Sequence, residues 1–177
     1  MATPSEHLRD LRIDEQVVRY PEQESSPGIY HGPSLRALRS IGFGTDPGAN
    51  QIPIAVGTIV APSPGHLFGE HRPLSGWMTE PAAMDALLYA SGMLAGHVGR
   101  RASLPVSIDQ IDFGRLPAFG EPLRVVVKWL TADNEGTGGV MTALLIGQND
   151  DRIAELTGYR IAWLPKAATK LDFGVGL

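Results

Sequence analysis

The sequence predicts an α+β domain in which a curved antiparallel sheet wraps around one buried helix. Three observations point there. Ala82, Ala83, Met84, Ala86, Leu87, Leu88, Ala90, Met93, Leu94 and Ala95 make one helical stretch apolar nearly all round, the pattern of an element with no solvent face. Four strand-like runs follow it, at Pro105–Gly114, Pro122–Thr131, Gly139–Gly147 and Arg152–Leu164. The links between the four, at 117–121, 133–138 and 148–151, are short and rich in turn residues, which suits antiparallel neighbours.

Residues 1–28 form a lead-in. Pro21 to Gly28 is polar and full of breakers, so it reads as a loop, while Leu8 to Tyr20 fits a short helix or a short strand equally well. The domain proper spans 29–165. Leu35 to Phe43 can pair as a strand with Ile52–Val60, a run rich in β-branched residues but weakened by Pro53 and Gly57. Prolines and glycines make 61–77 a loop. The helix opens at Pro81, where a missing N–H costs nothing, with Thr79 or Glu80 as its cap, and is expected to end near His97, before Gly99. Alternation is plain in Leu123 to Trp129. Gly42-Phe43-Gly44 and Gly136 to Gly139 read as turns, since neither joins a strand to a helix through a lysine as a phosphate loop does. Trp129 and Trp163 fall in strand patterns and read as packing residues. Residues 166–177 read as a frayed tail.

Composition narrows the function classes. At 177 residues the chain suits one well-cored domain, and 43% hydrophobic content argues against wholesale disorder. A formal charge of -4 without a basic cluster argues against a nucleic-acid partner. With no cysteine, disulfides, thiolate metal sites and a cysteine nucleophile are excluded. The longest apolar run, Ala82 to Ala95, is too short to span a bilayer, and Met1 to Asp10 carries charges where a signal peptide needs apolar residues. A cytoplasmic protein that does not engage membranes is the expectation. His66 and His71 lack metal-ligand spacing, so no metal site is expected. His97 closes the helix, where a cation suits the dipole, and His7 belongs to the lead-in.

Asp85 sits about one turn inside the apolar helix. A carboxylate there is costly unless it is hydrogen-bonded, paired or facing a pocket, which makes it the leading candidate for chemistry. Position 89 lies one helical turn further on the same face, so the Tyr89 hydroxyl can reach that carboxyl.

Three motifs occur in order: Tyr30-His31-Gly32-Pro33-Ser34-Leu35-Arg36-Ala37-Leu38, then Trp77-Met78-Thr79-Glu80-Pro81-Ala82-Ala83-Met84-Asp85-Ala86, then Leu104-Pro105-Val106-Ser107-Ile108. Together they resemble the C-terminal half of polyketide synthase dehydratase domains, over roughly Gly28 to Pro165. The resemblance implies a single hot-dog fold and dehydration of 3-hydroxyacyl thioesters to enoyl thioesters. It implies no cofactor beyond the phosphopantetheine of an acyl carrier protein, which carries the substrate and would be a partner. Asp85 matches the family's acid, Tyr89 would be its partner, and His31 is the nearest candidate base. Gly32, Pro33, Trp77, Glu80 and Pro81 would line the substrate. Glu80 departs from the family's usual His, and Tyr89 from its Gln or His. In the family a second hot-dog fold supplies the catalytic His, so pairing is expected, either as a homodimer or with a His-bearing subunit. His71, Gly76 and Pro81 come within one residue of the His-x-x-x-Gly-x-x-x-x-Pro motif of the family's other half; because this overlaps the Asp85 motif, the similarity reads as coincidence. Arg36, Arg39, Arg100 and Arg101 could meet an acidic carrier. The alternatives are a non-catalytic acyl-binding or assembly module, a hot-dog thioesterase, and a fragment of a larger synthase.

Overall fold

The computed structural model describes residues 13–20, 32–46, 51–62, 78–133 and 135–165. Its eight strands form one antiparallel sheet: β1 (Gln16–Val17), β2 (Leu38–Asp46), β3 (Ile52–Val60), β4 (Ser103–Ser107), β5 (Gln110–Phe113), β6 (Pro122–Ala132), β7 (Gly138–Ile146) and β8 (Arg152–Trp163). The order across the sheet is β1-β2-β3-β6-β7-β8-β4, and β5 also pairs with β8. Helix α1 (Pro81–Gly99) packs against β2, β3, β4, β6, β7 and β8, which places it in the hollow of the sheet.

Alternation decides which side chains face the helix. Ala55 and Ile59 of β3, Leu123, Val125, Val127 and Trp129 of β6, and Met141, Ala143 and Leu145 of β7 join the helix in the main core. From α1, Ala82, Ala83, Ala86, Leu87, Tyr89, Ala90, Met93, Leu94 and Ala95 are buried, so the all-round apolar pattern is matched by enclosure. The intervening residues Ile54, Val56, Val126 and Ile146 build a smaller cluster on the outer face, with Ile13 and Leu144 packed on it. Among the described residues, no helix is long and apolar enough to cross a membrane.

Some boundaries differ from the sequence reading, each for a physical reason. Gly42 and Gly44 are strand residues within β2, not a turn. A Cβ at Gly42 would lie 2.5 Å from Ile13 Cγ2 and 2.6 Å from the Asp14 carbonyl oxygen, so glycine is what lets the segment before β1 cross the strand. The run Pro105–Gly114 is not one strand. It breaks at Ile108-Asp109 into β4 and β5, which pair with successive parts of β8. Opposite the break, Gly158 adopts φ 64°, with Asp109 against the face where a side chain would stand, and Arg160 bonds the Asp109 carboxylate. The helix runs two residues past His97 because its left-handed end is Arg100, φ 51°, while Gly99 lies against the Trp163 ring. Undecided in the sequence, the segment before Tyr20 holds the short strand β1, paired with β2 through Gln16–Ile41 and Val17–Ser40.

Candidate functional site

The start of α1 carries two carboxyl groups in different settings. Glu80 is the N-cap: its backbone is extended, its Oε2 accepts from the Ala83 N–H at 2.5 Å, and its carbonyl accepts from Met84 N at 3.1 Å. Pro81 takes the first helical position. Glu80 is only 6% exposed, and its buried Oε1 has no hydrogen-bond partner among the described residues. Burial pushes the carboxyl above its ordinary range, against the lowering effect of the Ala83 and Ala82 N–H groups.

Asp85 is half-buried, with Oδ2 shut off from solvent. Tyr89 is buried one turn on, and its phenol is pushed up first by that burial and then by the Asp85 charge. Across from it stands Tyr20, whose ring stacks on Tyr89 at 5.6 Å and 23°. Tyr20 Oη donates to the Leu38 carbonyl at 3.0 Å, which pins the ring to the start of β2. Its phenol is also raised, by burial above all and further by Tyr89 and Asp85, while the Leu38 bond and Arg39 oppose the rise. The Arg36 guanidinium lies over the other part of this assembly, 5.8 Å from the Tyr20 ring centre.

Arg36 also ends the 3₁₀ turn Pro33–Leu35, which Gly32 precedes and which packs against α1. Tyr20 and Arg36 thus link Tyr89 to the Gly32–Pro33 turn, whereas Glu80 and Pro81 stand at the helix entrance. His31, Trp77, His66 and His71 lie outside the described residues. Tyr20 was not singled out in the sequence. Its partners are at positions 38 and 89, and no local pattern signals contacts so distant in the chain.

Other candidates resolve into structure. His97 stacks on Phe43 at 4.5 Å and 8°, and burial, then Arg100, lower its pKa. It is thus held toward the neutral form and is not the helix-closing cation that its position suggested. Trp163 stacks on Trp129 at 5.5 Å and donates from Nε1 to the Ala95 carbonyl, and Arg101 lies over its ring at 5.2 Å, so both tryptophans are packing residues. A cavity of about 300 Å³ lined by Glu15, Thr58, Arg124, Gln148 and Asp150 includes none of the Asp85 group.

A half-buried carboxyl one helical turn from a buried phenol is a group suited to proton transfer. The comparison with known families is decisive about ancestry. The family model for the polyketide synthase dehydratase N-terminal domain matches residues 4–170. The chain belongs to that family. The matching model describes the N-terminal domain, not the C-terminal half that the motif order suggested. Solved dehydratase and thioesterase structures share the fold. The dehydratase domain from the CurK module of the curacin polyketide synthase is similar at 21% identity and TM-score 0.60, over 94% of this chain and 53% of that one. A mutant hypothetical thioesterase from Streptococcus pneumoniae is similar at 11% identity and TM-score 0.53, over 77% of this chain and 100% of that one. A Streptococcus mutans protein bound to acetyl CoA is similar at 12% identity and TM-score 0.51, over 64% and 82%. These likenesses establish the hot-dog fold of this dehydratase-family chain, which spans about half the length of the CurK domain. No curated relative matches its sequence.

Proposed function

We propose that this dehydratase-family domain removes water from 3-hydroxyacyl thioesters presented on the phosphopantetheine arm of an acyl carrier protein. The observation that carries the reading is the half-buried Asp85, set one turn from buried Tyr89 on the central helix, with Tyr20 stacked on Tyr89. Asp85 would protonate the departing 3-hydroxyl while a base takes the C2 proton, so that water leaves and an enoyl thioester remains. Tyr89, coupled electrostatically to Asp85, would hold the carboxyl's orientation.

Because the matching model is that of the N-terminal domain, His71, followed by Gly76 and Pro81, stands beside His31 as a second candidate for the base. The spacing from His71 to Gly76 is one residue longer than in the family motif. Gly32 and Pro33 beside α1, together with Trp77, Glu80 and Pro81 at its start, would line the acyl group.

Pairing with a second hot-dog fold, in another copy of the chain or in a His-bearing partner, would use the free edge at β4. There Leu104 is 50% and Val106 62% exposed on the last strand of the sheet. A second reading is thioester hydrolysis with the carboxylate activating water, since thioesterases are among the structures that share this fold. Incubation with 3-hydroxybutanoyl-pantetheine separates the two. An enoyl-pantetheine product supports dehydration, release of 3-hydroxybutanoate and free thiol supports hydrolysis, and neither product supports a non-catalytic acyl-binding module.

A further inference from the structure

We propose that Glu80 is a ligand-binding residue in its own right, its Oε1 donating a hydrogen bond to the carbonyl oxygen of the bound acyl group. The inference rests on the acyl-thioester reading above and adds a residue and an atom to it. A helix cap needs one carboxyl oxygen, and Glu80 gives one: Oε2 accepts from Ala83 N. The other oxygen is the anomaly. Oε1 is buried without a hydrogen-bond partner among the described residues, on a side chain whose residue is 94% covered. An orphaned buried carboxyl oxygen is destabilising, and a serine or aspartate cap would avoid that cost.

The geometry also decides which atom carries the proton. Oε2 is occupied as an acceptor, so a proton on the acid resides on Oε1, which is then a donor with nothing to bond. Burial, which raises this carboxyl, works in the same direction. A donor beside the positive end of a 19-residue helix suits an oxygen bearing partial negative charge, and a thioester carbonyl is such an atom. An ammonium or other cationic ligand would meet the helix N-terminus unfavourably. A carbonyl oxygen, and not a cation, is therefore the kind of ligand atom this donor suits.

Two substitutions separate binding from capping. Glu80→Ser keeps a good helix cap but removes Oε1, whereas Glu80→Gln keeps an acceptor for Ala83 N and puts an N–H donor in place of Oε1. The probe is the ketone analogue of 3-hydroxybutanoyl-pantetheine, with a methylene replacing sulfur and ¹³C at the carbonyl, titrated into the full chain by calorimetry and NMR. Glu80→Ser is expected to bind about tenfold more weakly than Glu80→Gln, a typical hydrogen-bond contribution, and to lose the downfield shift of the bound carbonyl carbon. A merely capping residue would move neither readout. Equal affinity and shift in both variants would overturn the role of Glu80 and leave the thioester reading standing. Loss of binding in Glu80→Gln as severe as in Glu80→Ser would also overturn it, because it would make Glu80 an acceptor. No binding by the wild-type chain would overturn the thioester reading and the proposal with it.

Discussion

Glu121→Gln should cost the fold roughly 1–2 kcal/mol at neutral pH and almost nothing in strong acid. Glu121 ends the loop between β5 and β6 and is buried there as a hub. Its Oε2 accepts from Arg115 Nη1 at 2.8 Å and Ala118 N at 2.8 Å, and its Oε1 from Arg115 Nη2 at 2.5 Å and Gln148 N at 3.1 Å. Arg115 in turn grips Asp151, so the hub ties this loop to the turn between β7 and β8. The Arg115 bonds, helped by the Ala118 and Gln148 N–H groups and opposed by burial, lower the Glu121 carboxyl from 4.5 to about 2. Linkage converts that depression to about 3 kcal/mol of native-state preference for the ionised form. The Arg115 side chain is 40% exposed, and solvent screening brings the expectation to roughly 1–2 kcal/mol. Because the folded pKa is depressed, this stability is present above the unfolded carboxyl's pKa near 4.5 and is lost as pH falls through about 2. For a chain this size each kcal/mol moves Tm by about 2–4 °C, so Glu121→Gln should melt roughly 2–8 °C below wild type at pH 7. The gap should narrow steadily between about pH 5 and pH 2. A gap that stays constant across that range, or none at pH 7, would refute the charge-pair account of this loop.

Tyr20→Phe keeps the ring on Tyr89 but deletes the bond to the Leu38 carbonyl, and should lower stability by about 1 kcal/mol in urea melts. Tyr20→Leu should cost a further 0.5–1.5 kcal/mol, roughly the worth of an aromatic pair. Val106→Lys places a charge on the open edge of β4 and should weaken self-association or partner binding in sedimentation. It should leave monomer stability within about 0.5 kcal/mol, since Val106 is already 62% exposed. Unchanged association in that variant would remove β4 as the pairing edge.

The periodic parts of the fold were legible in the sequence, and the parts set by distant contacts were not. An apolar helix and alternating strands advertise themselves residue by residue, and the i,i+4 placement of Asp85 and Tyr89 follows from helix geometry alone. Gly42 reads as a turn until Ile13 and Asp14 are known to cross it. The break between β4 and β5 depends on Gly158 and Arg160, about fifty positions downstream. Tyr20 enters the site through Leu38 and Tyr89, and Glu121 was visible only as part of a turn. Glu80 was legible as a possible cap, but not as a buried carboxyl with a spare oxygen. The motif order pointed to the C-terminal half of the dehydratase, whereas the matching family model is that of the N-terminal domain, and the His71 and Asp85 motifs overlap in sequence.

Asp85 is the proposed acid. The most direct test follows 3-hydroxybutanoyl-pantetheine by mass spectrometry with the wild-type chain and with Asp85→Asn, each checked by a thermal melt. An amide preserves the shape of the side chain but cannot deliver an acidic proton, so the account predicts enoyl-pantetheine from the wild type. From Asp85→Asn it predicts formation slowed by about 10²–10⁴-fold, with the melt nearly unchanged. Wild-type rates from Asp85→Asn would contradict it, as would a variant whose only defect is a loss of roughly 1–3 kcal/mol of stability, the mark of a structural carboxyl.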